Sequence, residues 1–437
     1  MLERYSALMK HLKLSNQRYR QLWYAPILGL AMAIMMTRLV WLAGWLPVEA
    51  FASLAFGLLI SSAFGIVGAI GLQPLLQRDM PGLLIRGKED SARRLLIQAI
   101  TLSLICFLAA SPLVYFGPEL SAYPQAIWAA GLLHGLAQQV FLLATTDSRS
   151  RGDPLTFALD NLYRALLVAI VSWLVAASTG SASAVLLAES FASILLSIRA
   201  LKIIFLRDDS PLHPQIRQAI NGLSHLPWGN ALFLLSASLL AYGILNLDRW
   251  VASFWLTTPD FAQYAFAAIG LMIAQSIQSL LNAAVFPMVA RRHASKGNES
   301  SYKLARNLSW ACLAMGATAG PIFAVATKHL VEAWFPQYVG AIQLIWPILL
   351  IAVLRLSDFH STYILVSGHE RALTCVNFLI LSCAVGALVI LSAQPYSANL
   401  TPLQTVVKLA VCVGVGHYIA ILITANWLHR AQNIKPR

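Results

Sequence analysis

Apolar residues fall along this chain in long unbroken runs, separated by short clusters of turn-forming and charged residues. A helix needs about 20 mostly apolar residues to cross the hydrocarbon of a bilayer, whereas a barrel strand alternates apolar and polar positions. The pattern predicts membrane-spanning helices and excludes a closed β-barrel. Twelve runs qualify: 22–46, 50–76, 95–117, 123–146, 155–177, 183–206, 230–256, 262–289, 307–327, 339–366, 372–393 and 403–428.

Composition agrees with that pattern. Of 437 residues, 58% are hydrophobic and 11% charged, and mean hydropathy is +0.68, whereas a soluble chain carries roughly 25% charged residues. The expectation is an all-α, multi-pass integral membrane protein. A net charge of +13 then asks on which side of a bilayer the basic residues lie, and no nucleic-acid partner is needed to explain it.

Sorting the 31 lysines and arginines by connection gives a one-sided answer. They occupy the N-terminal tail (Arg4 to Arg20), residues 78–94, Arg149 and Arg151, 199–217, 291–306, Arg371 and the C-terminal tail. The exceptions are Lys328 in an outer loop and Arg38, Arg164, Arg249, Arg355 and Lys408 inside predicted helices. Outer connections instead hold Glu49, Glu119, Asp260 and Glu332. By the positive-inside bias both termini are cytoplasmic and the number of spans is even.

The longest inner connection, 207–229, carries Pro211, Pro214 and Pro227 and lies near the midpoint. It divides the chain into a basic cytoplasmic tail (1–21), a six-helix lobe (22–206), a linker (207–229), a second six-helix lobe (230–428) and a basic tail (429–437). No short apolar core with a small-residue cleavage site follows the first residues, so the N-terminal tail reads as retained. A repeat supports the division: Phe51-Ala-Ser-Leu-Ala-Phe56 recurs as Phe261-Ala-Gln-Tyr-Ala-Phe266. Pro74 precedes Arg78 as Pro287 precedes Arg291, and Arg38 falls opposite Asp248-Arg249 within one residue of the same spacing. With six helices per lobe the repeat is parallel, so the lobes are pseudo-symmetric about an axis along the membrane normal.

Outer loops are short, the longest surrounding Trp334-Phe335-Pro336, and none offers a domain for catalysis. The cysteines Cys106, Cys312, Cys375, Cys383 and Cys412 lie inside apolar runs without Cys-x-x-Cys spacing, which points to neither disulfides nor a zinc site.

Ionisable groups inside the runs are the candidate chemistry, since each costs at least ~2.5–3.5 kcal/mol in a bilayer centre and needs a protein interior or wet cavity. Asp160 and Arg164 stand four apart, and Arg355 and Asp358 three apart, so each pair shares a helical face and can neutralise itself. Asp248 and Arg249 are adjacent and point about 100° apart. Arg38 and Arg249 lack a same-helix partner and are expected to face a cavity. Paired guanidinium donors suit phosphate oxygens, whereas an organic cation would call for acids and aromatics. Asp248 is left either for a coupling proton or sodium ion or as a partner for Arg38 or Arg164. Lys408 and Glu189, near outer helix ends, and His134, His360 and His417 read as snorkelling or packing residues. Gln275, Gln278 and Asn282 form one polar stripe.

Asp248-Arg249, Thr258-Pro-Asp-Phe-Ala-Gln-Tyr-Ala-Phe266 and Phe286-Pro-Met-Val-Ala-Arg291 together resemble the seventh and eighth helices of bacterial polysaccharide-repeat flippases. These are lipid-linked oligosaccharide translocases of the multidrug/oligosaccharidyl-lipid/polysaccharide exporter superfamily. The resemblance implies a MATE-like, V-shaped pair of lobes around a cationic cavity in the bacterial cytoplasmic membrane. It further implies alternating-access transfer of an undecaprenyl-diphosphate-linked oligosaccharide to the outer leaflet for surface polysaccharide such as O-antigen or exopolysaccharide. Arg38, Arg249, Arg164 and Arg355 would bind the diphosphate, and Asp248, Asp160 and Asp358 would couple an ion or balance charge. No cofactor or metal is expected beyond a coupling H+ or Na+, and the partners would be the lipid-linked substrate, membrane lipids and polysaccharide polymerase machinery. The competing readings are a cation-coupled multidrug antiporter of the same superfamily and, from another class, an integral membrane glycan polymerase or ligase. The short outer loops disfavour the latter.

Overall fold

The computed structural model describes residues 2–205, 212–393 and 401–434, and side-chain environments within 23–205, 216–282, 285–390 and 401–431. Residues 207–211 of the expected linker, the turn at 394–400, the basic side chains of the first tail, and Lys435 and Arg437 lie outside these. Among the described residues, 11 apolar helical segments are long enough to cross a membrane. The longest, α11, runs Thr258–Trp334 over 77 residues, with Gly297 at φ 77° breaking it. At about 1.5 Å per residue it is far longer than one crossing of a ~30 Å core. It therefore holds two spans joined at Gly297, which brings the number among the described residues to twelve.

The remaining helices follow in order: α1 (Leu2–Trp45), α2 (Val48–Val67), α3 (Leu72–Ile85), α4 (Glu89–Ala110), α5 (Leu113–Leu120), α6 (Gln125–Ser150), α7 (Pro154–Thr179), α8 (Ala182–Phe205), α9 (Leu212–Asn221) and α10 (Trp228–Trp255). After α11 come a 3₁₀ segment (Pro336–Leu344), α12 (Ile345–Leu356), α13 (His360–Val366), α14 (Glu370–Ala393) and α15 (Pro402–Ile434).

Three boundaries differ from the sequence expectation, each for a local reason. The run 50–76 is not one helix: α2 stops at Val67, because Ile70 (φ 43°) and Gly71 (φ 77°) turn left-handed, and α3 begins afresh. The run 95–117 breaks at Ser111-Pro112, since a proline restricts the residue before it and cannot donate to the helix ladder. The run 339–366 is three pieces, and residues 357–359 separate α12 from α13. The connection between the runs 230–256 and 262–289 is short: α11 already begins at Thr258, where the Thr257 side chain accepts from the Asp260 N–H.

Two compact units emerge, Met1–Leu46 with Phe56–Ser236, and Pro47–Ala55 with Ala237–Arg437. In unit 1, α1 packs on α7, and α6 on α8. A second core lies around α3 and α4, with Leu72, Leu76, Leu96 and Leu143 fully buried. Described residues of the expected linker form α9, which rests on α4 where the Gln98 amide donates to the Ala219 carbonyl at 3.1 Å. Unit 2 has a core of Val289, Tyr302, Tyr363 and Ile421 joining α11, α13 and α15.

The repeat is visible within each unit. In unit 1 Phe56 stacks on Tyr123 at 4.2 Å and 16°; in unit 2 Phe266 stacks on Tyr338 at 4.4 Å and 7°. The two phenylalanines are the last residues of the repeated hexapeptides, and each meets a tyrosine just ahead of a later span.

Gly71 tests the α2–α3 break. A Cβ there would lie 1.9 Å from the Ala231 carbonyl oxygen, at a φ that side chains rarely adopt. Gly71→Ala is expected to destabilise by more than about 1 kcal/mol, seen as a lowered thermal unfolding midpoint in detergent. An unchanged midpoint would contradict this close approach.

Candidate functional site

The buried charges gather in one cluster per unit. In unit 1 the cluster is set by close packing of α6 on α2. Gly131 and Gly135, a Gly-x-x-x-Gly pair, face the α2 backbone, where a Cβ on either would come within 2.8 Å of the Gly57 or Ser61 carbonyl. That approach brings His134, which lies between them, to the Ser61 hydroxyl at 2.8 Å from Nδ1. The other ring nitrogen, Nε2, lies 3.1 Å from the carboxylate of Glu189 on α8. Arg38 on α1 forms an ion pair with the same carboxylate, and the Ser172 hydroxyl on α7 donates to it at 2.7 Å. Four helices thus converge on Glu189, which with His134 is fully buried.

Arg164 on α7 completes this cluster. Its Nε donates to Ser193 Oγ at 3.0 Å, and its guanidinium lies over the Phe141 ring at 4.9 Å. The Nη2 of Arg164 is buried and lacks a hydrogen-bond partner among the described residues. Its charge interacts with those of Arg38 and Glu189.

Asp248 on α10 organises the cluster in unit 2. Its Oδ2 accepts from the Tyr264 hydroxyl at 2.5 Å. Its Oδ1 is buried without a hydrogen-bond partner among the described residues. Asp248 and Arg355 line a small cavity walled by Ile244, Leu247, Leu409 and Val413. Arg355 Nη2 donates to the Leu245 carbonyl at 3.3 Å, and its Nη1 has no hydrogen-bond partner among the described residues. Arg249 donates to Asn246 Oδ1 at 3.2 Å, and its Nε and Nη2 are buried without a hydrogen-bond partner among the described residues.

Several pairings expected from spacing do not form. Asp160 is not the ion-pair partner of Arg164, which instead turns to Ser193; the positive charge acting on Asp160 is that of Arg199. Arg355 and Asp358 do not share a helix, because α12 ends between them. Asp358 instead caps α13, accepting the Ser361 N–H at 3.1 Å as well as its hydroxyl. Arg38 is not partnerless: it is 4% exposed and ion-paired with Glu189. Within unit 2, Asp248 is met by the Tyr264 hydroxyl. Lys408 is exposed, in keeping with snorkelling. Of the polar stripe, Asn282 accepts from the Thr362 hydroxyl at 3.4 Å.

Glu189 and His134 are the residues that sequence reasoning set aside. The glycine pair at 131 and 135 was the available signal for His134, because it marks a face where α6 meets another backbone.

No protein-family model and no curated protein matches this chain. Solved structures do. An inward-facing multidrug resistance MATE family transporter of the MOP superfamily is similar at TM-score 0.63 and 16% identity, over 93% of this chain and 94% of its own. The eukaryotic MATE transporter AtDTX14 is similar at TM-score 0.64 and 13% identity, over 96% and 99%. A MOP superfamily transporter from Pyrococcus furiosus, described as having a binding pocket of reverse polarity that suggests a different function, is similar at 0.55 and 15%, over 94% and 95%. The chain is therefore a multi-pass, all-helical membrane protein with the MATE transporter fold.

The unit 1 cluster makes a double-mutant test. Breaking a buried ion pair by removing one partner costs about 3–5 kcal/mol, whereas removing both costs much less. Glu189→Gln is expected to destabilise by that amount in detergent unfolding, and Arg38→Gln/Glu189→Gln to recover part of the loss. If the double variant is no more stable than Glu189→Gln, the ion pair is not what holds these helices.

Proposed function

We propose that the chain is a secondary transporter that moves an anionic, diphosphate-linked lipid oligosaccharide between the leaflets of the bacterial cytoplasmic membrane by alternating access, supplying surface polysaccharide synthesis. The observation that carries this reading is the ratio of charges in the buried clusters. Arg38 and Arg164 face Glu189 in unit 1, and Arg249 and Arg355 accompany Asp248 in unit 2. In each cluster both guanidinium groups keep a buried N–H without a hydrogen-bond partner among the described residues. Unpartnered guanidinium donors in a dry setting suit phosphate oxygens, which take paired hydrogen bonds, and disfavour an organic cation. A relative in fold whose pocket has reverse polarity supports the idea that this scaffold serves more than one substrate charge.

In this reading Arg164 within unit 1 and Arg249 within unit 2 are each donors to phosphate oxygens of the substrate. Arg38 chiefly holds Glu189, and Arg355 lies beside Asp248. Coupling to a proton or sodium ion falls to Asp248, whose free Oδ1 sits with a water-sized cavity beside it. Asp160 and Asp358 serve local charge balance and helix capping. The protein is a carrier in this scheme, not an enzyme.

A cation-coupled multidrug antiporter is the second reading, favoured by the similarity to an inward-facing multidrug resistance transporter and by the buried Asp248. One set of variants separates the two. Arg164→Ala and Arg249→Ala are expected to lower leaflet transfer of a labelled undecaprenyl-diphosphate oligosaccharide in proteoliposomes by at least about tenfold, the scale of one lost charge-assisted contact of ~1.5–3 kcal/mol. Arg249→Lys is expected to restore little, since an ammonium lacks the planar fork. Full transfer activity in both alanine variants, with drug efflux abolished by Asp248→Asn, would establish the antiporter instead.

A further inference from the structure

One corner of unit 2 carries charge that neither cluster uses. Where the second span of α11 begins, it packs on the end of α15 through Tyr302, Ala305, Ala425 and Leu428. Around that seam stand Lys303, Arg306 and Arg430, all exposed. The Arg306 guanidinium lies over the Tyr302 ring at 5.8 Å, and His429 stacks on the same ring at 4.2 Å and 11°. Lys303, Arg306 and Arg430 all lie within electrostatic reach of His429.

The carboxylates nearby do not neutralise this group. Lys303 pairs with Glu299 at 2.6 Å. Neither Arg306 nor Arg430 has a carboxylate within ion-pair distance among the described residues. On other connections Arg78 pairs with Asp79 at 2.6 Å, and Arg151 with both Glu89 and Asp147.

A second observation places this charge at the membrane surface. Trp310 and Trp427 are 60% and 65% exposed. Trp310 lies four residues beyond Arg306, and Trp427 three before Arg430, so each stands on the same helical face as its arginine and about one turn, ~5 Å, deeper into the span. Exposed tryptophans one turn inside a ring of cations mark the boundary between headgroups and acyl chains. Ile423, 62% exposed, continues the face of Trp427 one turn deeper.

We propose that this corner is a binding site for an anionic phospholipid, with the headgroup phosphate held by Arg306 and Arg430 and the upper acyl chain lying along Trp310, Trp427 and Ile423. The ligand class follows from the pairing of unneutralised guanidinium groups with an adjoining apolar aromatic face, which a soluble phosphate would not use. The site does not depend on the transported substrate, because none of its residues belongs to the buried clusters.

Native mass spectrometry of the full-length protein in detergent with added phosphatidylglycerol or phosphatidylcholine tests this. Retained phosphatidylglycerol is expected to exceed phosphatidylcholine severalfold, and Arg306→Gln/Arg430→Gln is expected to lower it by more than about tenfold, since each surface cation contributes roughly fivefold. Arg86→Gln/Lys88→Gln removes equal charge from another exposed basic connection and is expected to leave retention unchanged. Equal loss in the two variants, or no loss at Arg306 and Arg430, would overturn the site. Displacement of the lipid by millimolar inorganic phosphate would assign the corner to a free anion and overturn the lipid reading. Both pairs replace exposed side chains, and an unchanged elution volume confirms that the variants fold.

Discussion

A carboxylate placed among apolar helices stays charged only if opposite charge and hydrogen-bond donors meet it there, and in unit 1 that requirement falls on Glu189. Moving such an ion from water into a low-dielectric interior costs several kcal/mol even after relaxation, so a lone Glu189 would oppose folding. Arg38, His134 and Ser172 supply what it needs from three other helices. Arg38 and His134 are far away in sequence and Ser172 lies on the preceding helix, so their meeting requires α1, α6, α7 and α8 to be correctly placed at once. The ion pair adds little net stability over an apolar replacement, but it penalises any packing that separates the four helices. This is how a polar cluster specifies an arrangement that interchangeable apolar faces would leave loosely defined.

The close approach of α6 to α2 shows the same economy at backbone level. Between spans in lipid there is little hydrophobic gain, because acyl chains are as apolar as leucine, and attraction comes from van der Waals contact and interhelical hydrogen bonds. Gly131 and Gly135 allow that contact, and the Ser61–His134 bond uses the short distance it creates. A larger residue at either glycine would push α6 outward and separate both the hydrogen bond and the imidazole from Glu189. Packing and polar satisfaction in unit 1 are therefore one constraint seen at two scales.

The spans were legible in the sequence because length and apolarity are imposed by the bilayer itself, residue by residue. Helix breaks were less so: Ile70 gives no compositional warning of its left-handed backbone, and the interruption at 357–359 lies inside an apolar run. That interruption explains why the spacing of Arg355 and Asp358 misled, since the rule of three and four holds only within one continuous helix. The arginines and Asp248 stood out because a charge in an apolar run is conspicuous by itself. Glu189 and His134 did not, because their meaning lies in partners on other helices, and no local pattern announces which helices will touch.

The repeat carries this argument one step further. At the position where the first half has Arg38, the second has Asp248, and the sign of the charge is reversed. Each unit nevertheless buries its ion: unit 1 answers the arginine with Glu189, and unit 2 answers the aspartate with the Tyr264 hydroxyl and the neighbouring Arg355. The aromatic stack at the end of the repeated hexapeptide is the same in both, Phe56 on Tyr123 and Phe266 on Tyr338. The scaffold thus repeats its shape while leaving charge at the equivalent position free to change, provided that a partner on another helix changes with it. One arginine in each unit lies outside this local balance: Arg164, which donates to Ser193, in one, and Arg249, which donates to Asn246, in the other. Charge of that kind is costly in a membrane, and its N–H groups stay buried and incompletely bonded among the described residues.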